Sequence, residues 1–494
     1  MTILAVDAGT TGVTALVVNL EGQIVSRGYC EFPQYFPHEG WVEHEPEEIW
    51  AATLVAVNTA LGTLPTTVDR PTAVGITNQR ETIVLWDRQT LASPRRAIVW
   101  QDRRTAGICD QLRSDGYEPR VAALTGLRLD PYFSATKLSW INLNEPAVWA
   151  DVTSGKLAVG TVDSYLIAKM TGGAQHITDA SNASRTLLFD IHTGTWSSEL
   201  CDLFRVPIDC LPTVVSSYGI VGQTDPSAFA GLEIPVAGIA GDQQSALFGQ
   251  GCFEVGTSKC TYGTGSFVLV NTGHTPAASS TGLLTTIAWQ EPDGAIVYAL
   301  EGAVFVTGAA IQWLRDGLGI IDSAGETEAL ARSVPDSGGV VFVPALTGLG
   351  APDWDPHARG TILGLTRGTT RAHIVRATLE AIAYEVGDVI SLMMREGEVA
   401  VPTLRVDGGA AANNFLCEVQ ATTLGVPVQR AQALETTGLG AAFLAGLGTR
   451  FWPDRESISD LVSSAQTFEP GPRDERVHQR WRAAVERSKG WAVI

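Results

Sequence analysis

An aspartate that directly follows an apolar, glycine-punctuated run is the first place to look for chemistry. Ile239-Ala240-Gly241-Asp242-Gln243-Gln244-Ser245 supplies one near the middle of the 494 residues. A carboxylate there can take the proton of a hydroxyl that accepts a phosphoryl group, while other groups offset the transferring charge. The competing use is an aspartate capping a helix over residues 243–248, which draws on the same oxygens. Two glycine-rich elements frame this segment, Asp7-Ala8-Gly9-Thr10-Thr11-Gly12 and Asp407-Gly408-Gly409-Ala410, each after a short strand-like run. Asp7 ends a strand of buried type, where an unpaired carboxylate is expensive and a divalent cation would account for it. A turn-capping aspartate is the local alternative. Gly9, Thr10 and Thr11 offer backbone and hydroxyl donors to phosphate, and Gly263-Thr264-Gly265 could hold the same phosphate chain from the other side.

Arg80-Glu81 lies between two strand-like runs. Such a pair can donate to one hydroxyl and accept from its neighbour, or be an ordinary exposed ion pair worth little. Trp100, Tyr132 and Phe267 suit the apolar wall against the CH face of a small polyol, though aromatics more often fill cores. Gly408 and Gly409 permit close backbone approach to a nucleoside, with Asn413 and Asn414 as polar contacts on the following helix. Helix packing explains those glycines equally well.

These residues need a scaffold of mixed sheets. Residues 3–6, the glycine-threonine turn and residues 14–18 read as a β-hairpin, which argues against a dinucleotide fold, where the glycine loop opens a helix. A helix over 46–60 is followed by strands over 73–76 and 82–86, and this alternation indicates an α/β architecture. The strand-turn-strand theme returns at 256–270, so two domains are expected, 1–245 and 246–494. Downstream the pattern predicts helices over 302–314, 376–392 and 436–447 and strands over 340–344 and 404–406. The charged segment from Pro470 onward reads as helical at its end and solvated.

The length exceeds what one core usually fills. With 34 basic against 53 acidic residues, the formal charge of −19 argues against a nucleic-acid-binding role but not against an anionic substrate, which local donors can hold. Seven cysteines without a CxxC pair read as reduced thiols of a cytoplasmic protein. No signal peptide or membrane span is expected. There is no GxxxxGK[ST] loop, no HExxH and no GxSxG, which disfavours P-loop, zinc-hydrolase and esterase readings.

Taken together, the strings resemble the FGGY carbohydrate kinases. The similar segments are Asp7–Thr11, Asn78–Thr82, Asp130–Ser134, Gly241–Gln244, Tyr262–Gly265, Gly350 through Pro356, and Asp407–Ala410 with Asn413–Phe415, in family order across nearly the whole chain. The resemblance implies an actin-like ATPase fold, two ribonuclease-H-like domains closing on a central cleft. It implies ATP and Mg²⁺ in that cleft and phosphoryl transfer to the terminal hydroxyl of glycerol, giving sn-glycerol 3-phosphate. Asp242 matches the catalytic base. Arg80, Glu81, Tyr132, Gln243 and Asp242 match the polyol-binding set, with Trp100 and Phe267 on its apolar side. Thr10, Thr11, Thr264, Gly308, Gln312, Gly409 and Asn413 match nucleotide contacts, and Asp7 the metal-associated carboxylate. A homodimer or homotetramer is implied as well. One departure stands out: the family's first loop commonly continues to an arginine where this chain has Thr14. The alternatives left open are a kinase for another short polyol or sugar and a non-catalytic actin-like sugar-sensing ATPase.

Overall fold

Two sheets with the same strand logic carry the chain; the computed structural model describes residues 1–279, 281–462 and 464–493. In spatial order the first sheet runs Ile24–Glu31, Gly12–Val18, Thr2–Ala8, Pro71–Asn78, Pro235–Gly241 and Tyr218–Gln223. The first three strands are antiparallel, the next two join in parallel, and the last returns antiparallel. The second sheet repeats this order with Ile296–Val304, Ser266–Gly273, Ser258–Tyr262, Leu404–Asp407, Val428–Ala431 and Ser464–Phe468. It adds Leu284–Gln290 outside Ile296–Val304. The recurring strand-turn-strand theme of the sequence is thus a recurrence of topology, and the fold is the α/β architecture expected.

Parallel neighbours need crossovers, and helices supply them. Pro46–Gly62 leads to the strand Pro71–Asn78; it opens with proline and carries Glu47 and Glu48 in its first turn, where orphan N–H groups favour acid. Arg371–Glu396, longer than the sequence pattern indicates, leads to Leu404–Asp407. Covered on both faces, Ile3, Leu4, Ala5 and Val6 are fully buried, which is why this strand reads as a continuous apolar run.

The helix Thr436–Gly448 belongs to the second half in sequence yet lies on the first sheet. Small residues allow the contact: a Cβ at Gly75 would meet the Ala441 carbonyl at 2.0 Å, and one at Gly440 the Ser245 carbonyl at 1.8 Å. Ile3, Leu16 and Ala240 from one half and Leu269, Ala299 and Phe443 from the other consequently share a hydrophobic core.

Two local expectations are corrected. Residues 302–314 are not one helix: 302–304 finish the strand Ile296–Val304 and the helix is Gly308–Asp316. A run of small and apolar residues satisfies both periods, and pairing with Ser266–Gly273 decides it. The C-terminal helix Glu475–Ser488 is not merely solvated, because Trp481, Ala484 and Val485 are buried in a cluster with Val343 and Ala381.

Candidate active site

Three neighbouring parallel strands end side by side, and their carboxyl ends deliver the reactive groups. Thr2–Ala8 ends on Asp7 and Ala8, Pro71–Asn78 runs into Gln79-Arg80-Glu81, and Pro235–Gly241 runs into Asp242. Register aligns them, with Asp7 opposite Thr77 and Gly241 opposite Asn78. Ligands of open α/β sheets bind at this edge because the connections diverge there. Asp242 opens the helix Asp242–Gly249 without capping it: Gly241 is the cap residue, and Asp242 Oδ1 accepts from the adjacent Gln243 N–H at 2.7 Å. The side chain of Asp242 keeps 29% of its exposure, so a ligand can reach it.

Arg80 is the hub. Its Nη1 donates to Gln244 Oε1 (3.2 Å) and Glu301 Oε2 (2.5 Å), and its Nη2 to Tyr132 Oη (3.2 Å) and Glu301 Oε1 (3.2 Å). These four bonds use every terminal N–H of the guanidinium. Nε–H remains, in an ion pair 3.1 Å from Asp242 Oδ1. A hydroxyl placed beside this pair can accept from Nε–H and donate to the carboxylate. Glu81 takes a left-handed conformation, φ +63°, which costs about 1–2 kcal/mol for a residue with a side chain. Arg185 Nε fixes its carboxylate at 2.8 Å, and Ser134 Oγ donates to its carbonyl at 3.1 Å. Arg185 Nη2 also reaches Glu301 Oε1 at 2.9 Å, closing a buried quartet of two guanidinium and two carboxylate groups. Burial alone would raise the Glu301 carboxyl, yet Arg185 and Arg80 hold it below the ordinary carboxylate range.

Around this hub the aromatic wall is anchored. Lys137 Nζ donates to the carbonyls of Pro131, Tyr132 and Phe133 at 2.9, 2.6 and 3.0 Å and thereby fixes the Tyr132 turn. Burial lowers this ammonium to about 8. Trp100 meets the Tyr132 ring edge-on at 5.5 Å, and its Nε1 donates to Thr10 Oγ1 at 3.0 Å, tying the first glycine loop to the Arg80 side. Gln243 Oε1 accepts from the buried Lys259 of the second sheet. Phe267 pairs with Ala303, and the next same-face pair is Leu269 with Glu301, so Phe267 shares the face that carries Glu301.

The remaining residues gather on the second sheet. The Gly308 N–H donates to the Gly263 carbonyl at 3.0 Å, which sets the turn carrying Thr264 against the start of Gly308–Asp316, with Gln312 exposed one turn further on. Gly408 adopts φ +85°, and a Cβ there would lie 2.5 Å from the Tyr262 carbonyl, so the two turns cross at backbone distance. Gly409 has no atom within 4 Å of an added Cβ and faces open space. Asn413 is committed to structure: its Oδ1 caps Asn414–Leu424 through the Leu416 N–H, and its Nδ2 donates to Thr327 Oγ1 at 3.0 Å. The first loop is closed by Gly9 N–H to the Gly12 carbonyl at 3.0 Å and presents Thr11 exposed.

Asp7 tests whether a metal fits. Burial, then the charges of Asp242 and Glu435, push its carboxyl from 3.8 to about 8, and Thr14 is its neutral neighbour across the hairpin. The site is short of positive charge, which a divalent cation would supply. No group of three or more His, Cys, Asp or Glu among the described residues is arranged to hold a metal alone. Mg²⁺ needs no such cage, since it binds through one or two carboxylates, phosphate oxygens and water.

Sequence reasoning missed Arg185, Glu301, Gln244 and Lys259. Glu301 did leave a signal, a lone charge in an otherwise apolar strand, hidden by reading the residues after it as helix. Arg185 follows the Asp179-capped turn Ala180–Ala183 and gives no sign of its partners in the sequence.

Comparison with known proteins agrees with this arrangement. The model of the FGGY family of carbohydrate kinases, N-terminal domain, matches residues 2–249, and that of the C-terminal domain matches 258–449. The chain is 51% identical over 492 residues to glycerol kinase 2 of Thermotoga maritima, covering 99% of both chains. It is 52% identical over 494 residues to the glycerol kinase of Aromatoleum aromaticum, again covering 99% of both. Among solved structures, Plasmodium falciparum glycerol kinase with ADP superposes with a TM-score of 0.93 at 34% identity, covering 99% of this chain and 98% of that one. With both family domains matched in order and the actin-like, ribonuclease-H-like core repeated in each half, this chain belongs to the FGGY family of carbohydrate kinases.

Proposed function

We infer that the chain transfers the terminal phosphoryl group of ATP to glycerol, giving sn-glycerol 3-phosphate and ADP. The single observation that carries this reading is the Nε–H of Arg80 left facing the Asp242 carboxylate, with Glu81 and Tyr132 alongside. Three adjacent hydroxyls of a short polyol match such an alternation of donors and acceptors. In this reading Arg80, Glu81, Tyr132, Asp242 and Gln243 bind the hydroxyls and Trp100 and Phe267 cover the carbon chain. Asp242 takes the proton of the attacking hydroxyl as its oxygen bonds to the γ-phosphorus, and the bond to the β-phosphate oxygen breaks to release ADP. Thr10, Thr11, Thr264, Gly308, Gln312, Gly409 and Asn413 are assigned to the nucleotide, Asn413 through whatever capacity its structural bonds leave. Mg²⁺ entering with ATP would be held by Asp7 and would neutralise phosphate charge.

We place the division of labour at 1–245 for polyol and first phosphate loop and 246–494 for nucleotide, supported by the strands of the two sheets falling on either side of residue 245. A homodimer or homotetramer in the cytoplasm, with Mg²⁺ as the working ion, completes the proposal. No helix among the described residues is long and apolar enough to cross a membrane, and all seven cysteines are unpaired. The test is ADP formation from ATP and Mg²⁺ across glycerol, erythritol, xylitol, xylulose and dihydroxyacetone. Glycerol is expected to give the highest kcat/KM, and a tenfold preference for another acceptor would refute the substrate assignment.

A further inference from the structure

We propose that Glu301, on a strand of the second sheet, is a positioning residue for the polyol: it holds the Arg80 guanidinium so that only Nε–H faces the acceptor. Arg185 extends the same hold to Glu81. Glu301 accepts from both terminal nitrogens of Arg80 and from Arg185, so one carboxylate sets the plane of the first guanidinium and the position of the second. All four side chains of the quartet are at most 2% exposed, so water cannot replace a lost partner. Without Glu301, the freed Nη groups have two carboxylates nearby, Glu81, 3.8 Å from Nε and held by Arg185, and Asp242, already 3.1 Å from Nε and the nearer of the two. A guanidinium forked onto Asp242 would occupy the position of the acceptor hydroxyl and neutralise the proton acceptor. Glu301 therefore limits Asp242 to the Nε–H of Arg80 by holding both Nη groups itself, a contribution from the half of the chain that holds neither Arg80 nor Asp242.

The proposal rests on the glycerol reading above, and its test separates the two. Glu301→Gln keeps the shape but points an amide N–H₂ at guanidinium donors. Its KM for glycerol is expected to rise about tenfold or more, the loss of one charge-assisted hydrogen bond, while the KM for ATP stays within about twofold, a split that general loosening of the fold would not give. Should the single variant fail to fold, Arg185→Gln with Glu301→Gln removes one charge of each sign and restores balance; the glycerol KM is expected to remain raised. A glycerol KM within about twofold of the unaltered chain in either folded variant overturns the proposal, as does an equal rise in both KM values. Absence of glycerol-stimulated turnover in the unaltered chain overturns the functional reading itself, and the proposal with it.

Discussion

Asp7→Asn is expected to make the protein more stable and less active at once. In the folded chain, burial and the nearby Asp242 and Glu435 keep the Asp7 carboxyl protonated up to about pH 8, against 3.8 ordinarily. Between those values the unfolded chain has released this proton and the folded chain has not, so stability falls as pH rises and levels off above about pH 8. Over about four pH units at about 1.4 kcal/mol each, the ceiling is about 6 kcal/mol. Water entry and relaxation raise the effective dielectric and reduce this to about 2–3 kcal/mol. The assay is urea unfolding in EDTA from pH 5 to pH 9. Glu385, raised to about 8, and Asp163, raised to about 6, both by burial, give a falling trend to both proteins, so the difference between them isolates Asp7. The variant should be no more than slightly different at pH 5 and clearly more stable at pH 8. In Mg²⁺ and ADP the order should reverse, because the carboxylate that would meet the cation is gone. Parallel pH profiles for the two proteins would refute the charge-deficit argument, and full activity of the variant would refute the metal role.

Tyr132→Phe removes the Arg80-to-hydroxyl bond while Lys137 still holds the turn; the glycerol KM should rise about threefold to tenfold with kcat nearly intact, the usual worth of one hydrogen bond, as steady-state kinetics will report. Gly440→Ala forces a Cβ to 1.8 Å from the Ser245 carbonyl; overpacking of about 1–3 kcal/mol or more should lower the melting temperature, and an unchanged value would contradict the tight helix seating. Trp481→Ala empties the pocket under the C-terminal helix and removes the 2.8 Å bond to Asp388; a loss of about 3–5 kcal/mol is expected in denaturant unfolding, with proteolysis at the C-terminus appearing first.

The backbone of the site was legible because it is local. Asp7 and Asp242 announce themselves as carboxylates after apolar runs, which is what the end of a buried strand looks like in sequence. The hairpins around Gly9 and Gly263 were visible as two strand patterns about a glycine-threonine turn. The electrostatic hub was not legible, since Gln244 and Glu301 lie 164 and 221 residues from Arg80; parallel pairing within the first sheet brings up Gln244, and only the apposition of the two sheets brings up Glu301. Arg80-Glu81 looked like a possible surface pair, and its burial follows from two further charges the sequence gives no reason to associate with it. The C-terminal helix shows a third kind of miss. Its charged residues dominate by number, yet Trp481, Ala484, Val485 and Ser488 recur at three- and four-residue spacing, a narrow buried stripe that composition obscures.

The most direct measurement is single-turnover conversion of ATP and glycerol by the unaltered chain and by Asp242→Asn, following ADP and phosphorylated glycerol together. The account predicts one phosphorylated glycerol per ADP in the first, and in the second a rate lower by about 10²–10⁴, the usual worth of a positioned general base, with nucleotide binding retained. Asp242→Asn turning over glycerol within about tenfold of the unaltered rate, or ADP forming without phosphorylated glycerol, would contradict it.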